Sequence, residues 1–461
     1  MINLDLISDE QIKEIDAEYC SFGDTVHYSQ NPKVFAGCDG SFMYDSNDIP
    51  YLDLQMWYAS CNFGYKNKRI TDAVLNQIST LPQITPKFLH KYKPLLAKKI
   101  ANANYKRFLE KGRVHFNVGG AQAVEDALKL VRNYTKRNGM FAFMGGYHGR
   151  TMATSCVTSS FRYREKYGHF GDRATFVPFP YCFRCHYGKK CENCDMYCVK
   201  QFAKNFESEY NSFYDKNTGE CEFKAFIAEP CLGTGGYINA PREYFKQLKK
   251  VLDDFGIMLI VDEIQMGMFR TGKLWAIEHY GIVPDVITFA KSITNGMNPL
   301  SGFWAKEKFI APDVFSPGSA HSTYASNPVG IRAGYEVMSI IEEQETYLEN
   351  EINRKSQKFL QGLNELKRRY KCIGDVGGIG FALRIELTEE DRFTPNKKLC
   401  DFLQEEGLKG DLYYKGKKCG LVLNNGGFYK NIITLVPSLY ISDEEIDMAL
   451  DLLSQLFERA M

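Results

Sequence analysis

Two apolar runs in the segment GIMLIVDEIQMGMFRTGKLWAIEHYGIVPDVITFAK, Gly256 to Lys291, each end on a chemically active side chain. Ile257 to Val261 leads into Asp262, and Val286 to Ala290 leads into Lys291. Short unbroken apolar runs bounded by turn residues read as strands buried on both faces, the kind found in parallel sheets. In an open α/β sheet ligands bind beyond the carboxyl ends of the strands, so both side chains are expected to point into one crevice. A carboxylate there keeps a pyridine nitrogen protonated, and an amine holds an aldehyde as a Schiff base. Those are the two requirements of pyridoxal 5'-phosphate, whose ring then acts as an electron sink. An Asp closing a buried strand is commonly structural when it stands alone; the paired Lys gives it a chemical reading.

The same texture extends to FAFM at Phe141, ATFVPF at Ala174 and AFIAE at Ala225, alternating with helical patterns from about residue 115 to 310. That alternation implies βαβ units and a mainly parallel sheet. The ends differ. The first 75 or so residues hold short, turn-rich β pieces such as GCDGSFMYDSNDIPYLDL, and the chain beyond about 330 holds long charged helices around GDVGGIGFALRIEL. With 461 residues, 44% hydrophobic and 14% aromatic, the chain can bury one large core and a smaller one. Its 57 basic and 56 acidic residues create no field that favours nucleic acid or an anionic membrane. The start, MINLDLISDEQIKEIDAEY, is polar and acidic, and no apolar run approaches the roughly 20 residues of a membrane span. A soluble cytoplasmic protein is expected. The fourteen cysteines, scattered apart from one cluster, suit a reducing compartment.

From Asp262 to Gly302, DEIQMGMFRTGKLWAIEHYGIVPDVITFAKSITNGMNPLSG, the chain resembles the class III (ω-amino acid) aminotransferases of pyridoxal-phosphate fold type I. Their signature runs from a strand-ending Asp to the Schiff-base Lys, and the resemblance covers nearly the whole chain. It implies an α/β protein: a large cofactor-binding domain over 76–328, with a mainly parallel, seven-stranded type of sheet flanked by helices. A small α+β domain would form from both chain ends, 1–75 and 329–461. It also implies a homodimer with shared active sites.

Gly119-Gly120-Ala121-Gln122 opens an amphipathic helix with Val124, Ala127, Leu128 and Val131 at helical spacing, and free N–H groups at a helix N-terminus suit a phosphate. A Gly-Gly turn alone is often only a turn. The family places its phosphate loop here, and this version, GGAQAVEDALK, is most similar to the lysine 6-aminotransferase and 4-aminobutyrate aminotransferase branch. In GGYHGRT, the resemblance implies Tyr147 stacked on the cofactor ring, with His148 and Gly149 shaping the turn beneath it. Arg150 matches an Arg that receives a substrate carboxylate remote from the reacting amine, a task suited to a guanidinium fork. Glu229 resembles a Glu near the cofactor, Gln265 the residue that hydrogen-bonds its phenolic oxygen, and Thr323 a Thr that reaches the phosphate from the neighbouring subunit. Gln55-Met56-Trp57-Tyr58 matches a segment lining the substrate side, so Trp57 and Tyr58 are substrate candidates, with core packing as the plain alternative.

The chain also departs from the family. Members that use glutamate and 2-oxoglutarate usually read EPxQGEGG and NVIRLxPPL, and the second Glu of the first motif pairs with the Arg of the other. Here the two positions are Thr234 and Thr434. A buried Arg without its Glu would be an unpaired charge, so the two changes belong together. Separately, PYCFRCHYGKKCENCDMYC in the loop 181–198 carries Cys182, Cys185, Cys191, Cys194 and Cys198 with His186. Two C-x2-C knuckles allow a structural zinc at Cys182, Cys185, Cys191 and Cys194, an iron–sulfur cluster, or reduced unliganded thiols. The expected activity is transfer of an amino group from an ω-amino acid or amine to a keto acid or aldehyde through Lys291. A racemase or epimerase on the same fold is the alternative, and a non-catalytic scaffold is disfavoured by the persistence of Asp262, Gln265, Lys291 and Thr323.

Overall fold

The strands Phe223–Ala228, Met258–Asp262, Val286–Phe289 and Ser301–Lys306 are buried at every residue, which is why their sequences are mostly apolar and lack a polar–apolar alternation. In the computed structural model, which describes residues 7–21, 23, 32–163, 171, 173–208, 210 and 213–461, they form the middle of a seven-stranded sheet. We label its strands in chain order: β1 Gly112–Asn117, β2 Gly139–Phe143, β3 Thr175–Val177, β4 Phe223–Ala228, β5 Met258–Asp262, β6 Val286–Phe289 and β7 Ser301–Lys306. Across the sheet the order is β1-β7-β6-β5-β4-β2-β3. All neighbours are parallel except β7, which runs against both β6 and β1.

Helices cover both faces. Helix Gly120–Thr135 buries Val124, Ala127, Leu128 and Val131, the face expected from their spacing. Phe141 and Phe223 stack at 3.8 Å beneath Phe202 and Phe206 on the other face, which helix Tyr244–Asp254 also covers. Stacked aromatics of this size contribute area burial plus roughly 0.5–1.5 kcal/mol per pair.

Both chain ends enter one five-stranded sheet. Pro50–Asp53 runs parallel to Lys417–Val422, with Leu52 opposite Leu421. A four-stranded antiparallel sheet of Ile373–Ile379, Ala382–Leu387, Ile432–Leu435 and Asn424–Gly426 lies in the C-terminal third. Pro328–Arg369 is a 42-residue helix bent at Gln344, and Asn327 caps it by accepting from the Gly330 N–H at 2.7 Å. Among the described residues, no helix is long and apolar enough to cross a membrane.

Candidate active site

Asp262 is the last residue of β5, and Lys291 stands two residues past the end of β6. Glu229 follows β4 directly and the Gly145–Arg150 turn follows β2, so four strands deliver side chains to one carboxyl edge. They line a cavity of about 600 Å³, together with Gly120, Ala121, Tyr147, His148, Arg150, Gln265 and Trp57. Cavities of that size hold cofactors and small substrates.

The Asp262 carboxylate is fixed from three directions. His148 Nδ1 donates to Oδ2 at 2.8 Å, while the Ile264 N–H and the Thr288 hydroxyl donate to Oδ1 at 3.1 and 3.2 Å. His148 is itself buried, and its backbone N–H is tied to Thr158 Oγ1 at 2.9 Å. Lys291 has φ of 47°, a left-handed conformation that a lysine adopts only where the surroundings enforce it. Desolvation pushes its amine below the ordinary lysine range, against the opposing pull of Asp262 and Glu229. A lowered pKa raises the fraction of neutral, nucleophilic amine.

Opposite these groups, helix Gly120–Thr135 begins at Gly119 without a side-chain cap. Ser301 Oγ donates to the Gly119 carbonyl at 2.8 Å and holds the turn on the sheet. A Cβ at Gly120 would come within 3.2 Å of Ile264 Cδ1, so the chain passes this point only by a close approach. The first-turn N–H groups and the dipole there suit a phosphate.

Glu229 braces two loops: its oxygens accept from the backbone N–H of Tyr147 at 2.9 Å and of Gly233 at 2.8 Å. Burial raises its pKa to about 7, with Asp262 adding to the rise and His148 opposing it. A folded-state pKa above the ordinary value of 4.5 means that Glu229 contributes most to stability below that value, and the contribution is lost as pH rises through about 7. In cofactor-free protein, the stability difference between wild type and Glu229→Ala should therefore fall by about 3 kcal/mol over that interval. Chemical denaturation at pH 4.5 and pH 7.5 measures it, and a difference that stays flat would contradict the assignment.

Trp57 sits at the cavity rim, 56% exposed, within a turn whose four residues Met56, Trp57, Tyr58 and Ala59 all have positive φ, from 42° to 63°. Left-handed geometry costs L-residues roughly 1–2 kcal/mol each. Asp53 anchors the turn by accepting from the N–H groups of Gln55 and Met56 at 2.7 and 3.0 Å. The turn presents Trp57 to the cavity, and Tyr58 is not among the residues lining it. Arg150 lies over the Tyr163 ring at 4.4 Å and 5.9 Å from that of Tyr147, so its guanidinium is oriented by aromatic faces. Thr323 is exposed in the turn before Pro328 and lies outside its own chain's cavity.

Gly426 lies between Thr234 and Thr434: a Cβ on it would come 3.2 Å from the Thr234 carbonyl and 3.3 Å from Thr434 Cγ2. Thr434 Oγ1 accepts from Asn424 Nδ2 at 2.8 Å, and Tyr237 Oη accepts from Gln265 Nε2 at 3.0 Å.

A zinc site at Cys182, Cys185, Cys191 and Cys194 is not supported. Among the described residues no group of three or more His, Cys, Asp or Glu side chains is placed to hold a metal ion. Cys182 and Cys191 bring their sulfurs to 2.7 Å, and Cys194 Sγ lies 3.5 Å from the Cys191 carbonyl. What the loop does is anchor itself: Tyr181 and Arg184 both donate to the buried Glu386 on the four-stranded sheet.

A parallel sheet that presents a lysine, a carboxylate and a helix N-terminus at one carboxyl edge is the architecture of a pyridoxal-phosphate enzyme of fold type I. The class-III aminotransferase profile matches residues 26–457. The chain is 31% identical to a 4-aminobutyrate aminotransferase, GabT, of Escherichia coli, covering 91% of this chain and 92% of that protein. It is also 31% identical to a leucine/methionine racemase of Thermococcus litoralis, covering 92% and 90%. An aminotransferase of Bacillus anthracis of known structure superposes with a TM-score of 0.84 at 26% identity, covering 98% and 99%. The chain belongs to the class-III aminotransferase family, whose cofactor is pyridoxal phosphate. Its own residues fit that group. The cavity pairs a desolvated amine with a fixed carboxylate, and the buried His148 Nε2 has no hydrogen-bond partner among the described residues.

Proposed function

We propose that this enzyme moves an amino group from an ω-amino acid or amine donor to a keto acid or aldehyde acceptor in two half-reactions. The observation that carries the reading is the convergence of Lys291 and Asp262 on one cavity at the sheet's carboxyl edge. When bound, pyridoxal phosphate supplies an electron sink and a carbonyl carbon that accepts the amino group. Lys291 holds the cofactor covalently, and its Nζ, once displaced by substrate and neutral, carries the proton between the substrate carbon and the cofactor. Asp262 keeps the ring nitrogen protonated, and His148 and Thr288 keep Asp262 in place. The N–H groups at Gly120 and Ala121 receive the phosphate, Tyr147 covers the ring, Gln265 contacts the phenolic oxygen, and Glu229 holds the Tyr147 turn in register. Thr323, exposed on its own chain, reaches the partner's phosphate in a homodimer. A reducing, cytoplasmic setting fits the fourteen scattered cysteines.

Among the described residues lining the cavity, Arg150 is the one guanidinium, and at the rim it is placed for a carboxylate distant from the reacting amine. ω-Amino acids and amines are therefore better donors than glutamate, in keeping with the 4-aminobutyrate aminotransferase of Escherichia coli. Arg150→Ala should cost about 2–4 kcal/mol in kcat/KM for carboxylate-bearing donors and much less for carboxylate-free amines. A donor panel against pyruvate, 2-oxoglutarate and aldehydes tests this. Efficient glutamate turnover by the wild type, with an equal loss for both donor classes in the variant, would overturn it.

Racemisation is the second reading, favoured by the similarity to the Thermococcus litoralis racemase. In that case Lys291 returns the proton to the α-carbon and no keto acid leaves the site.

A further inference from the structure

Gln265 lines the cavity, and a buried phenol holds its amide from behind. Gln265 Nε2 lies 3.0 Å from Tyr237 Oη, and Tyr237 is 1% exposed. Tyr237 has a φ of 53°, so its backbone is held in a left-handed conformation that brings the ring under Gln265.

Gln265 Nε2 is the donor in this pair and the Tyr237 oxygen its acceptor, so the amide presents N–H, not C=O, to the phenol. At the amide's other end, Gly233 packs so closely on Oε1 that a Cβ there would come within 2.0 Å.

We propose that Tyr237 is a positioning residue for the cofactor: by accepting one N–H of Gln265 it sets the direction of the amide, so that the second N–H is offered to the phenolic oxygen of the cofactor ring. This rests on the reading of Gln265 as the residue facing that oxygen. A donor at the phenolic oxygen weakens that oxygen's hold on the neighbouring imine proton and so lowers the pH at which the proton is lost.

The test is the pH midpoint of the visible absorbance of purified holoenzyme. Tyr237→Phe should raise it by about 0.5–1 pH unit. Gln265→Met should raise it at least as far, and the double variant no further than Gln265→Met alone. Tyr237→Met, which removes the same acceptor, should shift it the same way, and it serves if Tyr237→Phe fails to fold. If Gln265→Met moves the midpoint while Tyr237→Phe and Tyr237→Met do not, the positioning role is wrong and the cofactor reading stands. If Gln265→Met moves nothing, Gln265 does not face the cofactor oxygen, and the proposal falls with that reading. Additive shifts in the double variant would place the action of Tyr237 elsewhere and also overturn it.

Discussion

Lys291→Ala should abolish turnover, with a loss of at least about four orders of magnitude in kcat. The amine has two tasks, covalent attachment and proton transfer, and among the described residues no other lysine lines the cavity to take either. The left-handed backbone at Lys291 is compatible with Ala at a modest cost, so the variant should fold. Borohydride treatment followed by intact mass analysis should show the added cofactor mass on the wild type and none on the variant. Reductive attachment at another site together with surviving activity would show that the lysine has been misassigned.

Asp262→Asn should bind the cofactor and still lose about 3–5 kcal/mol of transition-state stabilisation, some two to four orders of magnitude in kcat/KM. A neutral amide cannot hold a proton on a ring nitrogen. The amide oxygen can keep the donors Ile264 N–H and Thr288 Oγ1, so the strand end should survive. The amide nitrogen would then face His148 Nδ1, which now donates at 2.8 Å and would have to become an acceptor. Steady-state kinetics beside a thermal melt separate the two effects: activity falls and the melting temperature changes little. Near-normal kinetics would refute the electron-sink role.

Asp262 and Lys291 were legible because strands buried on both faces spell out as continuous apolar runs, and the residue that ends each run stands at the sheet's edge. The helix after Gly120 was legible through the 3.6 period of Val124, Ala127, Leu128 and Val131. Contacts set by side-chain direction across distant segments were not. His148 and Asp262 are 114 residues apart, and nothing in GGYHGRT distinguishes a histidine that shapes a turn from one that holds a carboxylate. Tyr237 escaped for the same reason. The left-handed turn at Met56–Ala59 had no signal either, because bulky residues rarely adopt positive φ. Its geometry decides that Trp57 lines the cavity and Tyr58 does not. Cysteine spacing bounds how far thiols can reach but not where they point, and in the loop 181–198 Cys194 turns to a backbone carbonyl.

The central claim is amino transfer, and a single half-reaction tests it most directly. Holoenzyme mixed with excess ω-amino acid or amine donor in deuterated water, with no acceptor present, should release one equivalent of aldehyde or ketone per active site and leave the cofactor in its amine form. Loss of the visible absorbance and the mass of the released cofactor report the second outcome. Retention of that absorbance, with deuterium entering the α-carbon of recovered amino acid and no carbonyl product, would contradict the account and identify a racemase.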